Sequence, residues 1–560
     1  MKINELTPKE NLPIPAPLAS YGTGRFPTGQ VIKELIRSRI KNRADLASLK
    51  RKLAKKYKIP CQSNIELLKA YHTFLKNKRI KKSKKIENLL KTRPIRSLSG
   101  IVNVSVLTKP YPCPGKCLYC PIEKGIPKSY VSGEPAVERA KKLKFNPYFQ
   151  VKQRIEMLKS EGHPTDKIEL RIVGGTWSFY PKNYQTWFVT RCFEACNQKR
   201  GRSLNEAQKL NEKAKHRIVG LSIETRPDFI NISEVKRLRR LGVTMVELGV
   251  QNVFNDVLKS NLRGHGRKEI ILATKLLKDA GFKVLYQMMP NLPGSDIERD
   301  EKMFEELFEN PDFQPDLLKI YPCALLKEAP LYQWWKKGKY KPYTEKQLII
   351  LLKSIKNKIP YYVRIQRITR DIPSLSIVSG PAKISNLRQI LAKELEKEGK
   401  PCLCIRCREV KEDYNPKEKL KLFRQDYQAS DGKEIFLSFE NKKRTKLYSL
   451  IRFRIPSQIF SGKKHFLSIL KNSALIREIH TYGQLVPISE TNPVVEKSHY
   501  WARITPQHQG LGKKLVKTAE RIIKKEFNLN KIAVISGVGV RNYWRKLGYK
   551  LKNSYMIKDS

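Results

Sequence analysis

Cys113, Cys117 and Cys120 stand at C-x3-C-x2-C spacing in Cys113-Pro-Gly-Lys-Cys117-Leu-Tyr-Cys120, with an aromatic residue just ahead of the last thiol. Three thiolates can hold three irons of a [4Fe–4S] cluster, leaving the fourth iron without a protein ligand. An open iron lets a small molecule chelate there and receive an electron. The same trio also reads as a zinc knuckle short of one ligand, or as three ordinary core cysteines. A second trio lies in Cys402-Leu-Cys404-Ile-Arg-Cys407 and has zinc-ligand character. Tetrahedral zinc wants a fourth ligand, and Cys323 is the candidate; the alternative is a set of reduced, metal-free thiols. Cys192 and Cys196 lie one helical turn apart and Cys61 is solitary, so these read as packing residues.

A third stretch with chemical promise is Gln507-His-Gln-Gly510-Leu-Gly512-Lys513, which opens a helix running to about residue 527. A glycine turn at a helix N-terminus offers free backbone amides and the positive dipole end to a pyrophosphate. Taken alone it is also an ordinary, phosphate-free helix start. Its neighbours sharpen the reading: an apolar strand at 532–535 follows, then Asn542-Tyr-Trp-Arg-Lys-Leu-Gly-Tyr549.

Elements must bring these stretches to a common place. From about 100 to 325, strand-like runs at 101–107, 168–173, 218–223, 244–248, 283–288 and 317–321 alternate with helical stretches. Six β/α repeats imply an α/β fold with a parallel sheet, open or curled into a partial barrel. Unusual loops follow successive strands: the cysteine loop, Gly174-Gly-Thr176, Glu224-Thr-Arg-Pro227, Gly249-Val-Gln-Asn252, Met289-Pro-Asn-Leu-Pro-Gly294 and Tyr321-Pro-Cys323. In such folds these loops converge on one face. Glu224, Arg226 and Gln251 fit either as hydrogen-bond partners of a bound small molecule or as structural polar contacts at the barrel mouth. Downstream, 435–439, 447–454 and 474–483 read as strands of a second, antiparallel domain.

The chain has 560 residues, too many for one core. Its 112 Lys plus Arg against 52 Asp plus Glu give a formal net charge of +60, which favours a polyanionic partner, nucleic acid before membrane. No apolar run reaches the ~18 residues of a membrane span, and residues 1–20 lack the apolar core of a signal peptide. The cysteine usage suits a reduced, cytoplasmic setting. Residues 31–57 read as one helix, and 76–85 form a dense basic run suited to backbone phosphates or to a solvated helix face. Trp334-Trp335 and Tyr361-Tyr-Val-Arg-Ile-Gln-Arg367 interleave aromatics with cations, which suits unstacked bases and core packing equally. The expected organisation is 1–98 basic and helical, contacting RNA; 99–385 partial barrel; 386–420 cysteine-rich zinc linker; and 421–560 a pyrophosphate-binding α+β domain.

The cysteine loop and the turns behind it resemble the signature of radical S-adenosylmethionine (SAM) enzymes. Their resemblance implies that Gly174 and Gly175 meet the SAM amino group through backbone carbonyls, with Glu224, Arg226 and Gln251 at its ribose or carboxylate. The glycine turn and the closing Gly-Tyr segment resemble the coenzyme A signature of GNAT acetyltransferases. The pairing is similar to the catalytic subunit of Elongator in its stand-alone archaeal and bacterial form. Further stretches carrying that resemblance are Gly162-His-Pro-Thr-Asp-Lys167, Ile223-Glu-Thr-Arg-Pro-Asp228, Glu247-Leu-Gly-Val-Gln251, Arg477-Glu-Ile-His480 and Ile532-Ala-Val-Ile-Ser-Gly-Val-Gly539. It implies a partial (β/α)6 barrel followed by a GNAT domain, and conversion of the tRNA wobble uridine to 5-carboxymethyluridine. A deoxyadenosyl radical takes hydrogen from the acetyl methyl of acetyl-CoA, the carbon radical adds to uridine C5, and thioester hydrolysis leaves the carboxymethyl group. By the same resemblance Lys167 contacts acetyl-CoA from the barrel side. Glu478, Ile479, His480, Thr481, Gln509, Gly510, Leu511, Gly512 and Lys513 bind it in the GNAT module, with Trp544 and Tyr543 beside the thioester. An indole cannot donate the proton that GNAT enzymes commonly take from the position Trp544 holds, so Tyr543 is the catalytic candidate. Implied partners are the tRNA anticodon loop, acetyl-CoA and an electron donor, the enzyme working as a monomer or homodimer. The competing functions are a protein lysine acetyltransferase with a structural cluster and a non-catalytic RNA-binding scaffold.

Overall fold

The computed structural model describes residues 26–38, 40–384, 386–487 and 505–559, with side chains from residue 29. The reading of residues 1–20 lies outside them. Strands β1 (Val102–Leu107), β2 (Lys167–Val173), β3 (Arg217–Thr225), β4 (Met245–Gln251), β5 (Lys283–Met288) and β6 (Leu317–Ile320) appear where the sequence places them. A short ribbon of β7 (Leu325–Leu326) and β9 (Ile377–Ser379) brackets β8 (Arg364–Arg367), which adds a seventh parallel strand beside β6. The sheet order is β1-β2-β3-β4-β5-β6-β8, an open half barrel with one more strand than six repeats give. The reason is that part of Tyr361–Arg367 packs inward: Tyr362, Val363 and Ile365 are buried, and Arg364 pairs with Glu409 at 2.8 Å. Tyr362, stacked on Tyr427 in the core, is therefore not available to bases.

On β2 the alternation is legible in burial. Ile168, Leu170 and Ile172 pack outward into the main core, while Lys167, Glu169 and Arg171 stay half-buried on the inner face. Apolar outer positions seat the covering helices, as parallel sheets require on both faces.

The second sheet has the order β10 (Leu420–Ala429), β11 (Gly432–Asn441), β12 (Leu447–Ile455), β13 (Ser473–Thr481), β14 (Lys531–Val534), β16 (Tyr555–Asp559) and β15 (Lys550–Lys552). Only β13 and β14 run parallel, and their pairing stops at Ile476 and Val534 while β13 continues to Thr481. The strands splay there, and the N-terminus of helix Leu511–Phe527 sits at the gap.

The two modules share one apolar core, with Leu475, Ala533, Val538 and Tyr555 in the same cluster as the barrel residues. Close approach is enforced by glycine. A Cβ on Gly537 would overlap the Val219 carbonyl, and one on Gly539 would lie 2.6 Å from Arg217 Cβ. The junction is then pinned by buried charge: Arg477 and Arg452 on the second sheet pair with Asp316 of the barrel, and Arg454 pairs with Asp279 at 2.7 Å.

At the N-terminal side, helices Phe26–Arg37, Arg43–Lys56, Asn64–Lys76 and Lys84–Leu90 form a small bundle around Ile32, Leu35, Leu67 and Tyr71. The single helix read across 31–57 is two, because Asn42 caps the second through a box with Asp45. Gly162-His163 bolts this bundle to the barrel: His163 bonds Ser97 at 2.9 Å through Nδ1 and the Thr92 carbonyl at 2.9 Å through Nε2. No helix among the described residues is long and apolar enough to cross a membrane.

Candidate functional site

The cysteine loop leaves β1 and packs over the C-terminal end of the barrel. Gly115 lies between the thiols: a Cβ there would sit 3.5 Å from Cys117 Sγ, 3.7 Å from Cys113 Sγ and 2.5 Å from Arg226 Nη1. Cys117 and Cys120 are buried. Burial opposes ionisation of Cys117, but the Arg263 guanidinium, whose Nη1 lies 3.4 Å from Sγ, outweighs it and lowers the thiol. Cys120 has no such partner, and burial pushes it up to about 12. Arg226 is locked by Asp228, donating from Nε at 2.9 Å and from Nη2 at 2.8 Å. That leaves its Nη1 buried without a hydrogen-bond partner, as is Gln251 Oε1. Gln251 also holds φ +71°, a strained setting for a side chain that faces a cavity. Orphaned donors and acceptors beside a thiol trio fit a polar group not built from protein.

That cavity, about 170 Å³, opens inside the half barrel and is walled by Cys120, Tyr130, Arg171, Glu224, Gln251 and Lys319 among others. Glu224 accepts from Tyr130 at 2.8 Å, Gln287 at 3.0 Å and Lys319 at 3.2 Å. Lys319 also pairs with Glu247, which accepts from Arg171 at 2.8 Å. Charges in the middle of parallel strands were a readable signal, since such strands are normally apolar throughout. Sequence reasoning singled out Glu224 but missed Arg171, Glu247, Lys319 and Arg263. Gly174 (φ +135°) and Gly175 (φ +98°) do adopt backbone that side chains avoid. The Gly174 carbonyl, however, accepts from Thr108 and Tyr180, both at 3.3 Å, and Val173 rather than either glycine lines the cavity.

A second cavity, about 510 Å³, lies at the opposite, N-terminal ends of the barrel strands, against the splayed β13–β14 gap. It gathers Lys167, Glu478, Ile479, His480, Thr481, Gly510, Leu511, Gly512, Lys513, Tyr543 and Trp544 onto one wall system; Gln509 is exposed beside it and does not line it. Gly510, at φ +78°, stands at the helix N-cap with no side-chain cap, so the first-turn amides are free for an anion. Lys167 donates to Gln507 at 3.2 Å, and burial pushes its ammonium down to about 8. Lys283 pairs with Glu478 at 3.1 Å. Gly512 marks a narrow point: a Cβ there would lie 3.2 Å from the Tyr543 hydroxyl, 3.4 Å from Ile479 and 3.9 Å from Thr481. Tyr543 keeps 37% of its surface exposed, yet burial at its ring pushes the phenol up to about 12. Trp544 is buried against Tyr549 and serves as packing.

Cys402, Cys404 and Cys407 bring their sulfurs within 4.8 Å of one another. Burial works against ionisation of Cys404, but hydrogen bonds from the two neighbouring thiols and the Lys356 ammonium hold it well below the usual thiol range. A ready thiolate in a tight trio is the donor set a soft divalent ion takes. Cys323 is not its fourth ligand. It follows β6 at the C-terminal end of the barrel, packed among Leu292, Leu325 and Tyr340, whereas Ile405 bonds to Val363 just before β8, at the other end. Cys192 and Cys196 are buried in the core, as packing residues are, and Cys61 is exposed.

Comparison with known proteins agrees with this layout. The radical SAM superfamily matches residues 111–307 and the radical SAM C-terminal domain matches residues 315–397. The tRNA uridine(34) acetyltransferase of Methanocaldococcus infernus is 47% identical over 84% of this chain and 88% of its own length. That of Dehalococcoides mccartyi is 43% identical over 83% of this chain and 98% of its own. Human Elongator complex protein 3 is 36% identical over 95% of this chain and 96% of its own. The solved structure of the M. infernus archaeal Elp3, lacking its N-terminus, superimposes with TM-score 0.71 at 43% identity, covering 83% of this chain and 100% of that one. A radical SAM half barrel joined to a second sheet, and relatives matched along nearly their full length, together establish that the chain belongs to the Elongator complex protein 3 family of radical SAM proteins.

Proposed function

We propose that this chain carboxymethylates C5 of the wobble uridine of tRNA, taking the two-carbon unit from acetyl-CoA. The observation that carries the reading is the composite wall of the 510 Å³ cavity, where Lys167, Glu169 and Lys283 of the barrel face Ile479, Gly512 and Tyr543 of the second module. An enzyme that only acetylated amines would have no use for barrel strands leading to a thiol-bearing cavity. The names of the archaeal and bacterial relatives point to uridine 34 of tRNA, and a net charge of +60 suits such a polyanion.

A [4Fe–4S] cluster with SAM, when bound, supplies a carbon-centred radical able to remove hydrogen from an unactivated methyl group. Cys113, Cys117 and Cys120 would hold it, and Arg263 offsets the thiolate charge. Arg226 Nη1, beside Gly115 of the cysteine loop, and Gln251 Oε1, both without protein partners, would meet the SAM carboxylate and ribose, and Tyr130 and Gln287 orient Glu224 toward the cavity that Gln251 lines. At the other end the uncapped helix start at Leu511, together with Lys167, would take the pyrophosphate. Tyr543 is protonated at neutral pH, as a phenol is, and burial raises it further, so it can donate to the departing CoA thiolate. The Cys402–Cys404–Cys407 trio would hold zinc as a structural clip at the base of β8.

The test is anaerobic incubation of the cluster-loaded enzyme with bulk tRNA, followed by nucleoside mass spectrometry, omitting SAM, acetyl-CoA or reductant in turn. 5-Carboxymethyluridine appears only in the complete mixture. Acetylation of a histone-like peptide without SAM, and no nucleoside product, would replace this reading with a lysine acetyltransferase.

A further inference from the structure

The two cavities lie at opposite ends of the barrel, so the strands must carry whatever joins them. Their linings alternate along the same four strands. Ile101, Lys167, Gly220 and Lys283 line the acyl cavity; Ser105, Arg171, Glu224 and Gln287 line the thiol-bearing one, each four residues further along its strand. Strand register stacks these positions in layers. Asn103, Glu169 and Gly220 are cross-strand partners on β1, β2 and β3, and Ser105, Arg171 and Ser222 form the next inward-facing layer. Glu169 and Gly220 belong to the first cavity, Ser105 and Arg171 to the second. Two residues of strand, ~7 Å, separate them.

The rest of the lumen is closed. Met245, Leu285 and Leu317, inward-facing on β4, β5 and β6, form a buried plug. The β1–β3 side is not: Asn103 is exposed, and Ser105, Glu169, Arg171 and Gly220 are half-buried, with Ser222 alone of these layers buried, donating to Glu247. The inner face of three strands is therefore polar and partly accessible, in a sheet whose outer face is largely apolar. Gly220 sets the clearance. A Cβ there would lie 3.7 Å from Glu169 Cγ and 4.0 Å from its Oε1, ordinary contact, so nothing in the backbone demands glycine. What glycine leaves is space opposite Glu169.

We propose that the groove along β1–β3, with its waist at Asn103, Glu169 and Gly220, is the passage by which the acyl end of the bound thioester reaches the cluster cavity. This rests on the carboxymethylation reading, and deepens it by naming the route. Glu169 at the waist and Arg171 one layer beyond keep the walls charged, which favours a small polar acyl unit over bulky apolar groups.

The test is a graded series, Gly220→Ala, Gly220→Val and Gly220→Leu, assayed as the ratio of 5-carboxymethyluridine to 5′-deoxyadenosine in the complete anaerobic reaction. Ala adds a Cβ at contact distance and should lower the ratio less than twofold. Val and Leu fill the waist and should lower it at least tenfold while 5′-deoxyadenosine continues to form. Circular dichroism and bound iron verify that each variant is folded and loaded. A ratio that stays constant across the series overturns the passage and leaves the carboxymethylation reading intact. Wild-type enzyme that forms 5′-deoxyadenosine but no nucleoside product overturns the reading itself.

Discussion

Asp316, at the foot of the sixth barrel strand, and Arg477, in the second sheet, form a fully buried ion pair across the module junction, with Nη1 3.0 Å from Oδ1. Arg452 adds a second contact to the same carboxylate, and Lys278 stands 3.6 Å away. Burial raises the Asp316 carboxyl, but these cations outweigh it and hold the group far below the usual range. Removing one member of a buried pair costs about 3–5 kcal/mol, because the others remain desolvated and unpaired. Asp316→Ala therefore lowers thermal stability sharply and uncouples the two modules, seen as two calorimetric transitions in place of one.

The same junction makes the protein acid-labile. Burial alone would raise Glu478, but Lys283 and Arg452 hold it at about 2. A carboxylate depressed in the folded state stabilises above its unfolded value near ~4.3 and loses that contribution as pH falls toward the folded one. Chemical denaturation midpoints should hold steady from pH 7 to 5 and drop between roughly pH 4 and 2. In Glu478→Gln the drop is shallower.

Lys167 carries a different pH dependence. Its ammonium ionises near 8 because burial disfavours the charge. An anionic ligand binds the protonated form, so CoA affinity falls as pH rises through about 8, and binding takes up a proton. Lys167→Met weakens CoA binding by roughly tenfold at pH 7, about the worth of one charged hydrogen bond, and flattens the pH profile. Isothermal titration in buffers of differing ionisation heat measures both.

Gly512 gives a steric prediction. Tyr543, Ile479 and Thr481 surround the place its side chain would take, the nearest at 3.2 Å. Gly512→Val occupies the narrow point and raises the KM for acetyl-CoA at least tenfold, while SAM cleavage by the barrel persists. Equal loss of both activities would show that the variant had damaged the fold instead.

For the second cysteine trio, metal analysis should find about one zinc per chain in addition to cluster iron. Cys404→Ser removes the zinc and lowers the melting temperature while leaving the iron absorbance in place.

Much of this was legible in the sequence, for identifiable reasons. The barrel strands β1 to β6 were readable because apolar runs recur between helical stretches, and the helix start that lines the second cavity because Gln507 to Lys513 is glycine-rich. The seventh strand was not: Arg364, Gln366 and Arg367 give it a polar pattern whose charge is neutralised by Glu409 and Asp371, partners 40 and more residues away or in a following loop. β10 hid for a related reason: it is an edge strand whose alternate side chains are exposed, and Gln425 interrupts the inward row of Phe423, Tyr427 and Ala429. Cys323 was the fourth-ligand candidate as the thiol of the last barrel loop before the trio; in parallel strands a residue after one strand and a residue before its neighbour fall at opposite ends of the sheet. The inner charges Arg171, Glu247 and Lys319 were visible, but their meaning needed the strands to be stacked in register.

The most direct measurement is the fate of the acetyl hydrogens. The complete anaerobic reaction, run with acetyl-CoA bearing a trideuterated methyl group, should give 5-carboxymethyluridine with two deuterons and 5′-deoxyadenosine with one. Deoxyadenosine free of deuterium, with the intact trideuterated acetyl group recovered on a lysine, would contradict the account.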